Sequence, residues 1–346
     1  MKSNLSYFPQ IDTLRFLAII MVILSHWLPN DYWIRFFQLG RLGVELFFVI
    51  SGFLITRILL QLNAKEGRLS DKLKTFYVRR ILRIFPIYYF VVILTYVFNS
   101  GHIETAIWWN LFYGSNFYIL KVNQFPGLMS HFWTLSVEEH FYILWPLLVL
   151  LPSSKKVIYS IGLAVFIGFF SRYFFYYNSY PPLYTNIFTL SCFDAFAIGG
   201  FLAYLREVKL DLYYKITKSK ALLCSVCIGF VYSLYSLNFH GTNDNFWNLV
   251  AFRFFSAWCF LFLINYAIHS KLKILNLKQF VFLGKLSYSM YLFHNFVPGF
   301  LLGLKYPENI YFRLVIYFIV LLLVSYLSWK LIEMPFNKFK KRFQYL

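Results

Sequence analysis

The chain has 346 residues, of which 60% are hydrophobic, 23% aromatic and only 14% charged. A soluble domain carries about 25% charged residues, so this composition excludes an ordinary water-soluble globule and indicates a membrane protein. The formal net charge of +19 would suit a nucleic-acid partner, but Lys and Arg gather between apolar runs and no nucleic-acid module is present, so lipid topology accounts for them better.

The first predicted element runs from Ile11 to Trp27, with Arg15 near its start, His26 near its end and ten uncharged residues between them. On a helix these side chains stand roughly 16 Å apart, about half a bilayer core. A charged or titratable group inside a membrane helix is expensive, which makes both functional candidates. The plain alternative is that Arg15 snorkels to the inner surface and His26 rests in the outer interface. Nine more apolar runs follow, near Gly43–Leu60, Ile84–Phe98, His131–Leu151, Val157–Phe170, Leu190–Leu205, Ala221–Leu237, Asn248–Ile268, Phe280–Leu302 and Tyr311–Ile332. They predict an all-α polytopic membrane bundle of about ten transmembrane helices. Several are shorter than the roughly 20 residues of a perpendicular span, so tilt is expected. Residues His102 to Leu120 add a candidate interfacial or re-entrant helix.

Loop charge gives the orientation. The second connection holds Arg57, Lys65, Arg68, Lys72, Lys74, Arg79, Arg80 and Arg83; the fourth holds Lys155 and Lys156. The sixth has Arg206, Lys209, Lys215, Lys218 and Lys220, the eighth Lys271, Lys273 and Lys278, and the tail Lys338, Lys340, Lys341 and Arg342. Odd-numbered connections are poorer, with Arg35 and Arg41, then Lys121, then Arg172, then none, then Lys305. This alternation predicts that both termini are cytoplasmic. One membrane domain is expected over 1–346, with its core at 11–336, no internal repeat and no appended soluble domain. Arg15 interrupts any cleavable signal, so the first span is expected to persist. Cys192, Cys224, Cys227 and Cys259 lie in apolar runs and read as small packing residues.

With that topology, depth becomes legible. His26 falls in the outer half, as do Glu45 of GVELFFVISGF, the residues His131, Glu138, Glu139 and His140 of HFWTLSVEEHFY, Asp194 of CFDAFAIGG and His294 of SYSMYLFHN. Ser51 lies near mid-membrane. Five helices thus offer histidines and carboxylates at one depth, where facing lipid would be too costly. An imidazole can take a proton from a hydroxyl while a buried carboxylate orients it, and His26 with Glu45 or Glu138 would make such a pair. The alternative is that these groups bond one another only to be satisfied. No HxxxH or ExxH spacing suggests a metal site.

On the inner side, FYVRRILRIFP presents Arg79, Arg80 and Arg83, with the last two three residues apart on one helical face. Guanidinium forks grip phosphates bidentately, so an anionic ligand is favoured over a positive-inside anchor. Gly43, Gly52, Gly199 and Gly200 mark places where helices can approach closely. LGKLS at Leu283 lacks the upstream glycine of a phosphate-binding loop. Glu333 of KLIEMPF reads as a helix-end residue.

Taken together, Arg15 and His26 as an R-x10-H pair, GVELFFVISGFLI, the RxxR of Arg80 and Arg83, FWTLSVEEHFY and SYSMYLFH make the chain resemble the acyltransferase family 3 membrane enzymes, which include bacterial polysaccharide O-acetylases. The resemblance runs from Ile11 to about Phe336. It implies a ten-helix domain that takes an acyl group, often acetyl, from cytoplasmic acyl-CoA to a hydroxyl of an extracytoplasmic glycan. It implies that His26 is catalytic with Arg15 as its partner, and that the RxxR arginines handle acyl-CoA. His140 stands where related proteins often have Gln. Some members carry a fused esterase-like domain, and none is expected here.

The expected site is therefore His26, Glu45 and Glu138 as catalytic residues, supported by Arg15, Ser51, Glu139, Asp194 and His294. Arg79, Arg80 and Arg83 would bind acyl-CoA, and no metal is expected. Direct transfer and a covalent acyl intermediate both remain open. Expected partners are acyl-CoA, membrane lipids, a glycan or lipid-linked saccharide acceptor and glycan-assembly proteins, at the bacterial inner membrane. A transporter or flippase of a lipid-linked glycan is the competing reading; it would need no acyl-CoA and should show repeats.

Overall fold

The structure is a computed structural model that describes residues 7–29, 32, 36–98, 105–239, 245–301 and 309–343. Arg35, His102, Leu302 and Lys305 lie outside these residues. Among the described residues all regular structure is helical, with no strand. In chain order the helices are α1 (Pro9–Trp27), α2 (Leu39–Asn63), α3 (Leu69–Val97), α4 (Ile107–Leu111), α5 (Ser115–Val122), α6 (Trp133–Leu150), α7 (Val157–Tyr177), α8 (Pro182–Ile187) and α9 (Phe193–Val208). Then come α10 (Leu210–Thr217), α11 (Lys220–Phe239), α12 (Phe252–His269), α13 (Lys278–Lys285), α14 (Ser287–Phe293), α15 (Phe296–Leu301), α16 (Ile310–Ser328) and α17 (Met334–Phe339).

Seven of the described helical stretches are long and apolar enough to cross a membrane: Pro9–Trp27, Leu39–Asn63, Leu69–Val97, Ser154–Tyr177, Lys220–Asn238, Trp247–His269 and Ile310–Phe339. The chain is a multi-pass membrane protein. The remaining three expected spans also coincide with helices, but of a different kind. α6 carries Glu138, Glu139 and His140, α9 has only 16 residues, and the ninth run is split into α13, α14 and α15. The third span begins at Leu69, well before the expected Ile84, so Arg79, Arg80 and Arg83 are part of the helix itself. The region expected to re-enter holds the short helices α4 and α5, with the buried Tyr88 hydroxyl donating to the carbonyl of Asn110 at 2.7 Å.

α2 is the centre of the bundle, with Phe48, Val49, Ile50, Phe53 and Leu59 almost wholly buried. It packs most extensively against α9. Gly52 and Gly199 allow this: a β-carbon on Gly52 would stand 1.9 Å from the carbonyl oxygen of Phe196, and one on Gly199 would stand 2.0 Å from that of Val49. Lipid offers apolar side chains no less than the protein does, so such close backbone packing is a main source of helix association here. At the periphery α11 and α16 turn Ile228, Val231, Ile319 and Leu323 outward, as helices bathed in acyl chains do.

Two departures from simple spans position the site. α13 crosses α1 so closely that a β-carbon on Gly284 would stand 1.8 Å from the carbonyl oxygen of Asp12. The chain then breaks at Leu286 and again at His294, an irregularity tolerated at membrane depth only where protein or a cavity surrounds it. At the other end of the bundle a π-helical turn, Trp329–Glu333, leads from α16 into α17. Glu333 does sit at this helix end, and it also accepts a hydrogen bond from the Ser289 hydroxyl of α14. The tail beyond α17 lies against α3, where Nη1 of Arg79 donates to the carbonyls of Lys340 and Phe343.

Candidate active site

At the Trp27 end of α1, His26 meets His294 across the break that follows α14. Nδ1 of His26 lies 2.7 Å from Nε2 of His294, and the rings stack at 4.9 Å with a 15° tilt. Nδ1 of His294 lies 2.7 Å from the carbonyl oxygen of Tyr291. A carbonyl only accepts, so Nδ1 of neutral His294 carries the proton and its Nε2 is an acceptor. Nδ1 of His26 must then be the donor to His294, which leaves Nε2 of neutral His26 as the basic nitrogen. The Trp27 indole, donating to the His294 carbonyl at 2.9 Å, fixes the backbone of this turn.

His131 completes the aromatic group, edge-on to His294 at 4.6 Å. Both of its ring nitrogens are engaged: Nε2 donates to the Leu292 carbonyl at 3.2 Å, and Nδ1 accepts from the Asn295 amide at 2.9 Å. His131 therefore braces the turn that carries His294.

His26 and His131 line a cavity of about 440 Å³ together with Gln38, Arg41, Val44, Phe125, Trp133, Asn186, Arg253 and Tyr291. Histidines, guanidinium groups, amides and flat aromatic faces are suited to a polar, ring-shaped ligand. A second, narrower cavity of about 50 Å³ is lined by Arg15, Phe47, Phe48, Leu135, Glu138, Ser287 and Tyr288. Val44 and Tyr291 line both cavities. Arg15 and His26 thus line two separate cavities that share Val44 and Tyr291 as walls, and do not share one site. Their spacing on α1 is about 16 Å.

The carboxylates expected beside His26 are bonded elsewhere. Glu45, fully buried, pairs with Arg253 at 3.4 Å and accepts from the Ser256 hydroxyl. Glu138 accepts from the Ser51 hydroxyl at 2.9 Å and borders the narrow cavity. Glu139 is buried, with Oε1 lacking a hydrogen-bond partner. Asp194 forms a bidentate pair with Arg172 at 2.7 and 2.6 Å, both side chains being almost completely buried. His140 bonds Thr189 at 2.8 Å and stacks on Phe117, on the α5 side of α6. Of the supporting residues, His294 meets His26 directly.

Near the Pro9 end of α1, cations converge. Arg80 is only 8% exposed and lies over the rings of Phe76 and Tyr142. The Nε atoms of Arg15 and Arg80 are buried without a hydrogen-bond partner. Among the described residues none of Arg15, Arg80 and Arg83 forms an ion pair with a carboxylate. Lys340 of the tail joins them, and burial, followed by repulsion from Arg83, Arg80, Arg79 and Arg15, lowers its ammonium pKa to about 6. Buried positive charge without a counter-ion calls for an anion, and the residues present fit a phosphate-bearing ligand.

Three arginines were missed or misread in the sequence. Arg253 stands in the middle of an apolar run, the same signal that singled out Arg15, and now holds Glu45, Ser191, Cys192 and Asn186 together. Arg172, counted there as a loop charge, is buried because α7 runs on to Tyr177. Arg41, counted likewise, is held by Asn248 at 2.5 Å and lies over Phe252 at the wall of the large cavity.

The family described as acyltransferase domain matches residues 8–332. The protein SACOL0978 of Staphylococcus aureus (strain COL) is 31% identical over 380 residues, which cover 97% of this chain and 58% of that protein. The protein named O-acetyltransferase OatA of Staphylococcus aureus (strain NCTC 8325 / PS 47) is 30% identical over 369 residues, covering 96% of this chain and 57% of its own length. This chain therefore spans a little over half the length of these curated relatives. No solved structure matches it.

Proposed function

The chain belongs to the acyltransferase-domain family, and on that footing we propose that it transfers an acyl group, acetyl first among candidates, from cytoplasmic acyl-CoA to a hydroxyl of an extracytoplasmic or lipid-linked glycan. O-antigen, capsule and exopolysaccharide are the acceptor classes that suit this reading. The proposed setting is the bacterial inner membrane, with about ten spans and both termini cytoplasmic, as the loop charges favour.

The observation that carries the reading is the pair of cavities, one at Arg15 and one at His26, that share Val44 and Tyr291 as walls. Unpaired cations at one end suit the phosphates of CoA, and a polar, aromatic cavity at the other suits a sugar. The narrow section suits a pantetheine arm. Nε2 of His26 takes the proton of the acceptor hydroxyl as its oxygen forms a bond to the thioester carbonyl carbon. The resulting imidazolium keeps donating its Nδ1–H to Nε2 of His294, whose own Nδ1–H keeps donating to the Tyr291 carbonyl. The tetrahedral centre then collapses, the carbon–sulfur bond breaks, and the departing thiolate takes the proton from His26. An O-acyl glycan and free CoA result. In this scheme His294 holds the base in the correct tautomer, the role first expected of Glu45 or Glu138.

The test is CoA release from acetyl-CoA by the purified protein in nanodiscs, supplied with membrane glycans from its host. Glycan-dependent release that His26→Ala abolishes supports transfer. Release that persists in a well-folded His26→Ala protein contradicts it, and binding of a lipid-linked glycan without any thiol release would favour transport.

A further inference from the structure

The tail of the chain is not used by the mechanism above, yet it is tied to the helix that carries the RxxR arginines. Arg79 grips the carbonyls of Lys340 and Phe343, which lays the tail along α3. We propose that Lys340 completes the site for the phosphate-bearing end of acyl-CoA, acting with Arg15, Arg80 and Arg83. This rests on the acyl-CoA reading given above and adds to it a ligand group that the sequence pattern did not single out.

The charges around Lys340 explain why a phosphate belongs there. Facing it are Arg79, Arg80 and Arg83 from α3 and Arg15 from α1. Its own tail adds Lys338 and Arg342. Of the acidic groups near these arginines, Glu333 accepts from Ser289, Asp12 from the Tyr7 hydroxyl and Glu138 from the Ser51 hydroxyl, while Glu139 keeps an unpartnered Oε1; among the described residues none of the four pairs with Arg15, Arg80 or Arg83. Arg80 is nine-tenths buried with an unpartnered Nε, as is the Nε of Arg15. Guanidinium forks give a phosphate its direction, and a lysine adds a compact point charge that can lose its proton when no anion is present.

That last property gives the site a thermodynamic signature. With its pKa lowered to about 6, Lys340 is mostly a neutral amine at pH 8 before ligand arrives. A bound phosphate raises that pKa, so binding draws in a proton. Affinity falls as pH rises from about 6 through the window between the free and bound pKa values, and below about 6 this group no longer contributes pH dependence. A phosphomonoester, with its second pKa near about 6, is already a dianion at pH 8 and takes up no proton itself.

The experiment is titration calorimetry of CoA into the full chain in phosphatidylcholine nanodiscs at pH 8, in two buffers of different ionisation enthalpy. The wild type should take up close to one proton. Lys340→Arg should bind nearly as well with no uptake, and Lys340→Ala should bind about tenfold more weakly, also with no uptake. Dephospho-CoA and pantetheine then identify which phosphate Lys340 meets: a phosphate whose removal abolishes the uptake is its partner. If Lys340→Ala keeps wild-type affinity and uptake while Arg80→Ala loses binding, the assignment of Lys340 is wrong and the acyl-CoA reading stands. If the wild type does not bind CoA, both fall. If phosphatidylglycerol in the nanodisc competes with CoA, and Lys340→Ala relieves that competition, the site belongs to a lipid headgroup.

Discussion

Nδ1 of His26 stands 2.7 Å from Nε2 of His294, two residues far apart in the chain that meet where the ninth apolar run breaks at His294. The Tyr291 carbonyl orients His294, and His294 orients His26. In the proposed scheme a backbone carbonyl and a second imidazole together do what a carboxylate does in a hydrolase triad: they fix the tautomer and steady the charge that forms on the base.

His294→Ala should therefore lower kcat about a hundredfold while leaving KM for acyl-CoA nearly unchanged, since in the proposed scheme the donor's phosphates bind near Arg15, away from His294. His294→Gln, which can still accept from His26 but shares its charge poorly, should recover part of the loss. Steady-state kinetics on protein in nanodiscs measures both. An unchanged kcat in His294→Ala would remove His294 from the account.

Val44 lines both cavities, so on the proposed route the acyl group passes its side chain. Val44→Trp should close the path. CoA binding should persist in calorimetry while transfer to glycan is lost. Transfer at the wild-type rate by a Val44→Trp protein would show that the acyl group travels another way.

The buried pair of Arg172 and Asp194 ties α7 to α9 and, through Arg172, to the Ser191 and Val250 carbonyls. Removing one partner leaves an uncompensated buried charge, so Asp194→Ala should destabilise the fold by about 3–5 kcal/mol. Replacing both, as Arg172→Met with Asp194→Leu, should restore most of that stability. Thermal unfolding in detergent reads the difference, and a Tm for Asp194→Ala equal to the wild type's would refute the structural role.

Gly199→Leu should abolish folding outright, because its β-carbon would fall on the Val49 carbonyl of the central helix. Size-exclusion profiles of the solubilised protein test this. A monodisperse Gly199→Leu protein would mean that α2 and α9 are not so close.

The sequence marked the helices that carry His26, Glu45, Glu138, Asp194 and His294, but it could not say which face of each helix those residues occupy, and Glu138, expected level with His26, borders the narrow cavity beside Arg15. Glu45 therefore looked available to His26, whereas it faces Arg253 on α12. Arg253 carried the same signal as Arg15, a lone cation in an apolar run, and was overlooked because it opened no recognisable spacing. Arg172 was read as a loop charge because the fifth run was ended at Phe170, some residues short of the helix end at Tyr177. The break in the ninth run left no mark in hydropathy. Its backbone is satisfied by neighbours such as Trp27, a contact that local sequence cannot announce.

The most direct test of the central claim is mass spectrometry of surface glycans from cells with the gene intact, deleted, or carrying His26→Ala. The account predicts one acyl increment on the glycan repeat in the first strain and none in the other two, with the amount of glycan at the surface unchanged. An acylated glycan in cells making normal levels of the His26→Ala protein would contradict it. So would an unmodified glycan whose surface amount falls on deletion, the result expected of a transporter.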